Sequence, residues 1–232
     1  MDFFETVNKR RATRKFTNEV VPSEVVETAL DAALLAPNTS NIQPWEFIRI
    51  RSENIRSLAA DACFSQSAAK TASELIVAVS RIDSWKKHRA SILEQMRKTG
   101  KVPSSVAKYY NTVVPTSYIQ DPFGILGVLK YVAFNGIGLF RPVPRGPKFR
   151  SELFETATKS TALACENFML AVTAQGFDSC PMEGFDEKRI KKILNLRGLC
   201  HVVMVIGVGR ADPSGIFGAR IRVPSEMVIR SV

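Results

Sequence analysis

The chain has 232 residues, 45% of them hydrophobic and 23% charged, with a formal net charge of +10 and a pI near 9.7. That length can bury a large core, and that composition excludes a disordered or fibrous chain. The charge favours anionic ligands, nucleic acid or acidic membrane surfaces.

Asp2 is placed to cap a first helix, with Glu5 completing a capping box and Phe3, Phe4 and Val7 giving an apolar face. That helix ends in the basic run Lys9-Arg10-Arg11. A second helix is expected from about Pro22 to Leu35. Pro22 suits its first turn, Glu24 its positive end, and Val25, Val26, Ala29, Leu30, Ala33 and Leu34 recur at helical spacing. Ala36-Pro37 stops it, because proline disfavours a helical residue before it. Residues 46–50 are expected as a strand, 53–72 as helix, 74–80 as a buried strand and 84–98 as helix. A long helix over 160–175 is stopped by Gly176, and a short strand, FDSC, leads to Pro181. Asp186 caps a helix whose Ile190, Ile193 and Leu194 face the core, and HVVMVIGVG (201–209) is a strand buried on both faces. The tail from Arg220 to Val232 carries no helix signal. Gly207 and Gly209 lack the third glycine and following helix of a dinucleotide-binding turn.

The excess charge is local. Arg97 to Arg150 holds nine Lys or Arg and one acid, Asp121, a net of +8; the remaining residues carry +2. Inside it, residues 123–140 are mostly apolar but broken by Lys130, Asn135 and four glycines. They are too short and interrupted for a membrane span. The loop RPVPRGPKFR (141–150) follows. The cysteines Cys63, Cys165, Cys180 and Cys200 form no CxxC pair and read as reduced thiols of a cytoplasmic protein. They make no metal site with His88 and His201 at known ligand spacings. The N-terminus has early acids and no long apolar run, unlike a secretory signal.

Four segments could carry chemistry. In RRATRKF, Arg10, Arg11 and Arg14 offer guanidinium forks suited to phosphate, or a solvated basic helix end. In APNTSNIQPWEF (36–47), Asn41 and Gln43 can donate to and accept from the edge of a planar heterocycle, or the segment is a turn satisfying its own backbone. In SCPMEGF (179–185), a strand stops at a proline, and a glycine turn exposes backbone N–H groups and lets a flat ligand approach. An ordinary connection is the alternative. Arg220 and Arg222, two apart in an extended tail, would point the same way as an anion clamp.

In this order the four segments resemble the nitroreductase family of FMN-dependent oxidoreductases, over about residues 2–80 and 160–232. Two departures stand out. The family pattern RRSxR has serine where this chain has Ala12, and a common glutamine on the long helix aligns with Ser160. The resemblance implies an α+β fold over 1–232 as one domain: a mixed, mostly antiparallel sheet with helices on both faces, in an intertwined homodimer. Residues 95–155 would be a variable basic and apolar insertion or lid. It implies that Arg10, Arg11, Ala12 and Arg14 hold the FMN phosphate with Arg220 and Arg222. Pro37, Asn38, Thr39 and Asn41 would reach the flavin from the partner chain, with Ser160 near the ring. Pro181, Met182, Glu183 and Gly184 would line one ring face, the Glu183 backbone lying near N5. Hydride would pass from NADH or NADPH to flavin N5 and then to a small acceptor such as a nitroaromatic or quinone, in two half-reactions. No side chain need act as a nucleophile.

Other branches of the fold dehalogenate iodotyrosine or fragment reduced FMN, but NIQPW favours the nitroreductase branch. A low-turnover flavin protein on an anionic membrane surface is a third reading. The basic segment is favoured here as a lid whose cations suit an anionic acceptor. Its tyrosines lack any stacking pattern for nucleic acid.

Overall fold

Two unbroken apolar runs, LIVAV and VVMVIGV, make the centre of a four-stranded sheet, as strands buried on both faces must. In this computed structural model, which describes every residue except Lys101 and Pro144, the strands are β1 (Trp45–Ile50), β2 (Glu74–Arg81), β3 (Asp178–Met182) and β4 (Cys200–Gly209). Their order is β1-β2-β4-β3, and all three pairings are antiparallel. Parallel pairing among the described residues is limited to one bridge, Ala12 to Ser179.

Side chains alternate across the sheet. Leu75, Val77 and Val79 face Ala59 and Ala62 of α3 (Glu53–Ala62), Ala68 and Ala69 of α4 (Ser67–Thr71), and Ile190 of α10 (Glu187–Ile193). Ile76 and Ala78 face the other way. They meet Val26, Ala29 and Ala33 of α2 (Ser23–Leu34) and Ala164, Phe168 and Val172 of α9 (Arg150–Ala174). Helices therefore cover both faces, as expected. Each fully buried Leu, Ile or Phe contributes about 1.5–3 kcal/mol. Gly207 and Gly209 serve this packing. A Cβ on Gly207 would lie 2.9 Å from the Ala68 carbonyl oxygen, and one on Gly209 would lie 2.8 Å from the Phe16 ring. The GVG sequence belongs to β4, not to a nucleotide turn.

Several expectations need correcting. The helix expected over 53–72 is broken: Phe64 and Ser65 take φ of +56° and +53°, and the chain turns between α3 and α4. Helix α9 begins at Arg150, ten residues before the expected start at 160, because Leu153 and Ala157 extend its buried stripe. β3 does not stop at Pro181 but runs through it to Met182. Proline is tolerated there because β3 is an edge strand. In α1 (Phe3–Lys9), the Asp2 carboxylate accepts from Glu5 N at 2.8 Å, as the capping argument requires. Yet Phe3, Phe4 and Val7 are exposed, and only Thr6 of this helix is buried. The supposed inner face of α1 is not covered by its own chain.

The basic segment is largely helical: α5 (Trp85–Thr99), α6 (Ser104–Lys108), a π turn (Tyr109–Val113), α7 (Val114–Tyr118) and α8 (Ile125–Gly138). Trp85, Ile92, Leu93, Tyr110, Val114 and Tyr118 pack with Ile42 and Leu153 into a third cluster. Part of the 141–150 loop, Pro144, lies outside the described residues. No described helix is long and apolar enough to cross a membrane.

Candidate functional site

After α1 the chain runs extended between β3 and a late turn at Pro213–Gly215. Thr13 N donates to the Ser179 carbonyl at 3.0 Å and Arg14 N to the Gly215 carbonyl at 2.7 Å. These ties bring the first and last arginine segments together. Arg10, Arg11, Ala12 and Arg14 meet Phe217, Ala219, Arg220, Ile221 and Arg222 around a cavity of about 300 Å³. One carboxylate reaches the set: Glu166 of α9, 3.4 Å from Arg10 Nε.

The guanidiniums are not equivalent. Arg220 donates to the Asn8 and Arg10 carbonyls, both at 2.6 Å, and so satisfies the orphan acceptors at the end of α1. This corrects the parallel clamp expected of Arg220 and Arg222, since Arg220 turns back onto the main chain. Arg11 holds the Gly218 carbonyl at 2.9 Å, and Arg222 its neighbour Ile221 at 2.8 Å. Arg14's side chain has no protein partner among the described residues. The Thr13 and Ser179 hydroxyl oxygens, beside the same bridge, are buried without partners. Burial pushes the Cys180 thiol above its ordinary value although Arg14 pulls the other way, so this neighbour stays neutral.

The segment after α2 has a different construction. Ser40, Asn41 and Gln43 all have positive φ, at 58°, 50° and 53°. Such strain costs about 1–3 kcal/mol per residue and persists only where neighbours fix it. Asn38 does the fixing: its Oδ1 accepts from Gln43 N at 2.7 Å and its Nδ2 donates to the Ala36 carbonyl at 3.2 Å. Tyr110 donates to the Ser40 carbonyl at 3.0 Å, and Tyr109 shares a hydrogen bond with the Ser40 hydroxyl at 2.7 Å. Trp45 is buried core. Pro37, Thr39 and Asn41 are exposed. Asn41 and Gln43 line a second cavity of about 400 Å³ with His88, Ser91, Ile92, Gln95, Met96 and Thr99.

At the end of β3, Pro181 is half-buried and Met182 buried, while Glu183 and Gly184 beyond it are exposed. Gln66 donates to the Gly184 carbonyl at 2.7 Å, fixing the turn, and no sequence signal marked Gln66 for this role. A Cβ on Gly184 would meet that amide at 3.3 Å. Ser160 is almost fully buried in α9 and donates to the Thr156 carbonyl at 3.1 Å, so its hydroxyl is spent on its own helix.

One chain joins two of the three groups. The Ala12–Ser179 bridge sets the arginine cavity beside β3 and its Pro181–Gly184 exit. The 37–43 segment enters β1, at the opposite edge of the sheet. Three strand spacings of about 4.8 Å, roughly 14 Å, separate the two edges. The arginine cavity and the Asn38 segment are therefore distinct surfaces of one chain.

The nitroreductase family model matches residues 7–210. This chain belongs to the nitroreductase family. Protein DrgA of Synechocystis sp. is 26% identical over 211 residues, covering 90% of this nitroreductase and 84% of that protein. A Staphylococcus haemolyticus protein provisionally named an NAD(P)H nitroreductase is 25% identical over 231 residues, covering 96% and 93%. The fold matches that of a provisionally named nitroreductase from Exiguobacterium sibiricum solved in complex with FMN, with TM-score 0.75, 24% identity, and 100% and 98% of the two chains covered. A likewise provisional nitroreductase from Bacillus subtilis, ydfN, gives TM-score 0.75 at 20% identity, with 99% and 98% covered. The family read from the four motifs is correct, and so is its α+β fold.

Proposed function

We propose that this nitroreductase binds FMN and passes electrons from NADH or NADPH to a small acceptor such as a nitroaromatic or quinone. The observation that carries the proposal is the arginine cavity, where five guanidiniums from both ends of the chain converge with one carboxylate in reach. A dianionic phosphate suits that donor set, because guanidinium forks bind it bidentately and stay charged. The partnerless Thr13 and Ser179 hydroxyls also fit a polar group seated beside the Ala12 bridge. The FMN named in the E. sibiricum complex and the NAD(P)H in the S. haemolyticus name support the same reading.

Within it, Arg10, Arg11, Ala12, Arg14 and Arg222 hold the phosphate, while Arg220 positions the end of α1 beneath them. Pro181, Met182, Glu183 and Gly184 would back the flavin ring and offer it main-chain N–H groups. FMN held by these residues would supply the redox chemistry, taking hydride from the nicotinamide and passing it to the acceptor in two half-reactions. The protein contributes position and charge, and its buried thiols take no part. Pro37, Asn38, Thr39 and Asn41 complete the site from a second copy, since their own chain holds them at the far sheet edge. The exposed Phe3, Phe4 and Val7 of α1 fit such a homodimer. Residues 95–155 form an insertion on one domain spanning 1–232, and the four buried thiols suit a reducing, cytoplasmic setting.

Purified protein should be yellow and release FMN on denaturation. Arg10→Ala combined with Arg222→Ala should weaken FMN far more than it lowers thermal stability. Unchanged flavin occupancy in that double variant would overturn the phosphate assignment.

A further inference from the structure

The outward face of α8 inverts the usual pattern of a surface helix. Ile125, Val128, Leu129 and Val132 recur at helical spacing, and each is more than half exposed. The helix meets its own chain instead through Gly127, whose missing Cβ would lie 2.5 Å from the Phe149 ring. Lys130 leans back to donate to the Ile119 carbonyl at 2.9 Å. Phe123 before the helix is 86% exposed, and Phe140 after it is 90% exposed. The apolar stripe thus faces solvent with an aromatic ring at either end.

The charge around this stripe is mostly positive, with one acid, Asp121, accepting from the Phe123, Ile125 and Leu126 N–H groups at the start of the helix. Residues 122–151 contain no Asp or Glu and five cations: Lys130, Arg141, Arg145, Lys148 and Arg150. Arg145 is tied to Asn135, and Lys148 is paired with Glu152. Arg141 and Arg150 have no ion-pair partner among the described residues; Arg141 lies three residues past the helix, and Arg150 opens α9 at the far end of the loop that follows it. At 14 residues α8 is about 21 Å long, which suits lying on a bilayer rather than crossing it.

We propose that α8 docks this protein on an anionic lipid surface. Its four outward aliphatic side chains and two flanking phenylalanines enter the headgroup boundary, and Arg141 and Arg150 meet lipid phosphates. A symmetric contact between two copies of α8 is disfavoured, because it would set five cations against five with no acid in either segment. A lipid-dissolved acceptor would lie within reach of a protein so docked.

The test is co-sedimentation of the full-length protein with vesicles of phosphatidylcholine alone and with 30% phosphatidylglycerol. Binding to the anionic vesicles should be at least ten-fold the neutral value in 0.1 M salt and fall several-fold in 0.5 M. Leu129→Glu with Val132→Glu should remove it, and Arg141→Gln with Arg150→Gln should remove the anionic preference. Both pairs are exposed, so thermal midpoint and flavin colour should match the parent. Equal binding to both vesicles, or full binding by the Glu pair, overturns the proposal. So does an absence of vesicle binding accompanied by dissociation of an oligomer in the Glu pair, which would mean that a second copy covers the helix.

Discussion

Replacing Gly215 with alanine should loosen the arginine cavity without touching an arginine. A Cβ at Gly215 would lie 2.3 Å from the Lys15 carbonyl oxygen, 2.9 Å from Lys15 N and 3.1 Å from its carbonyl carbon. All three atoms are backbone, so no side chain can swing aside. Relief requires the 12–16 segment to move off the Pro213–Gly215 turn. Two hydrogen bonds cross that contact: Arg14 N to the Gly215 carbonyl at 2.7 Å and Asp212 N to the Lys15 carbonyl at 3.0 Å. Losing or stretching both removes about 1–3 kcal/mol, and overpacking adds about 1–3 kcal/mol. A total of about 2–6 kcal/mol lowers the thermal midpoint by roughly 4–24 °C for a chain of this size. Displacing Arg14 should also weaken flavin binding about ten-fold or more. Thermal unfolding by circular dichroism and a flavin fluorescence titration measure the two effects. A variant within 2 °C of the parent (roughly 0.5–1 kcal/mol) with unchanged flavin affinity would refute the steric argument.

Arg14→Gln and Arg220→Gln should separate binding from support. Arg14→Gln should weaken FMN by about 10–100-fold with little change in thermal midpoint, since its side chain holds no protein partner. Arg220→Gln should chiefly lower the midpoint, because it frees the Asn8 and Arg10 carbonyls, and titration beside melting curves will show the split. Asn38→Ala should cost about 1–3 kcal/mol in chemical denaturation, by releasing the bonds that hold Ser40, Asn41 and Gln43 at positive φ. Burial pushes the Cys63 thiol up to about 11, and burial aided by the charge of Glu166 pushes Cys165 up to about 12, from 9.0. Because the folded values are raised, the stability they contribute is full below pH 9 and is lost as pH rises through the folded values. Native protein at pH 8 should leave both thiols unlabelled by iodoacetamide, as mass spectrometry of the digest will report; rapid labelling would contradict their burial.

The sheet was legible because its central strands have only one environment available. The runs around Ile76 and Val205 are too apolar for any exposed face, so their place followed from sequence. The break at Phe64 and Ser65 was not legible, since neither residue signals a left-handed conformation and the turn is set by packing against β4. The start of α9 was underestimated at Ser160. Its upstream stripe, Leu153 and Ala157, is buried by the α5–α7 cluster, whose position depends on distant residues. At the site, arginine side chains announced an anion but not how each is used. Arg220 looks like Arg222 in sequence, yet it faces the end of α1 because the tail passes that helix. Asn41 and Gln43 drew attention for their carboxamides, while Asn38 carries the hydrogen bonds that shape the segment. Gln66 and Gly215 act through contacts with residues more than a hundred positions away, for which a single sequence holds no local sign.

The central claim is that the arginine cavity recognises the phosphate of a bound flavin. Titrating flavin-free protein with FMN and with riboflavin, which differ only in that phosphate, tests it most directly. The account predicts FMN binding at least about 100-fold tighter, a gap that narrows in the Arg10→Ala, Arg222→Ala double variant. Equal affinity for the two flavins, or no affinity for either, would contradict it.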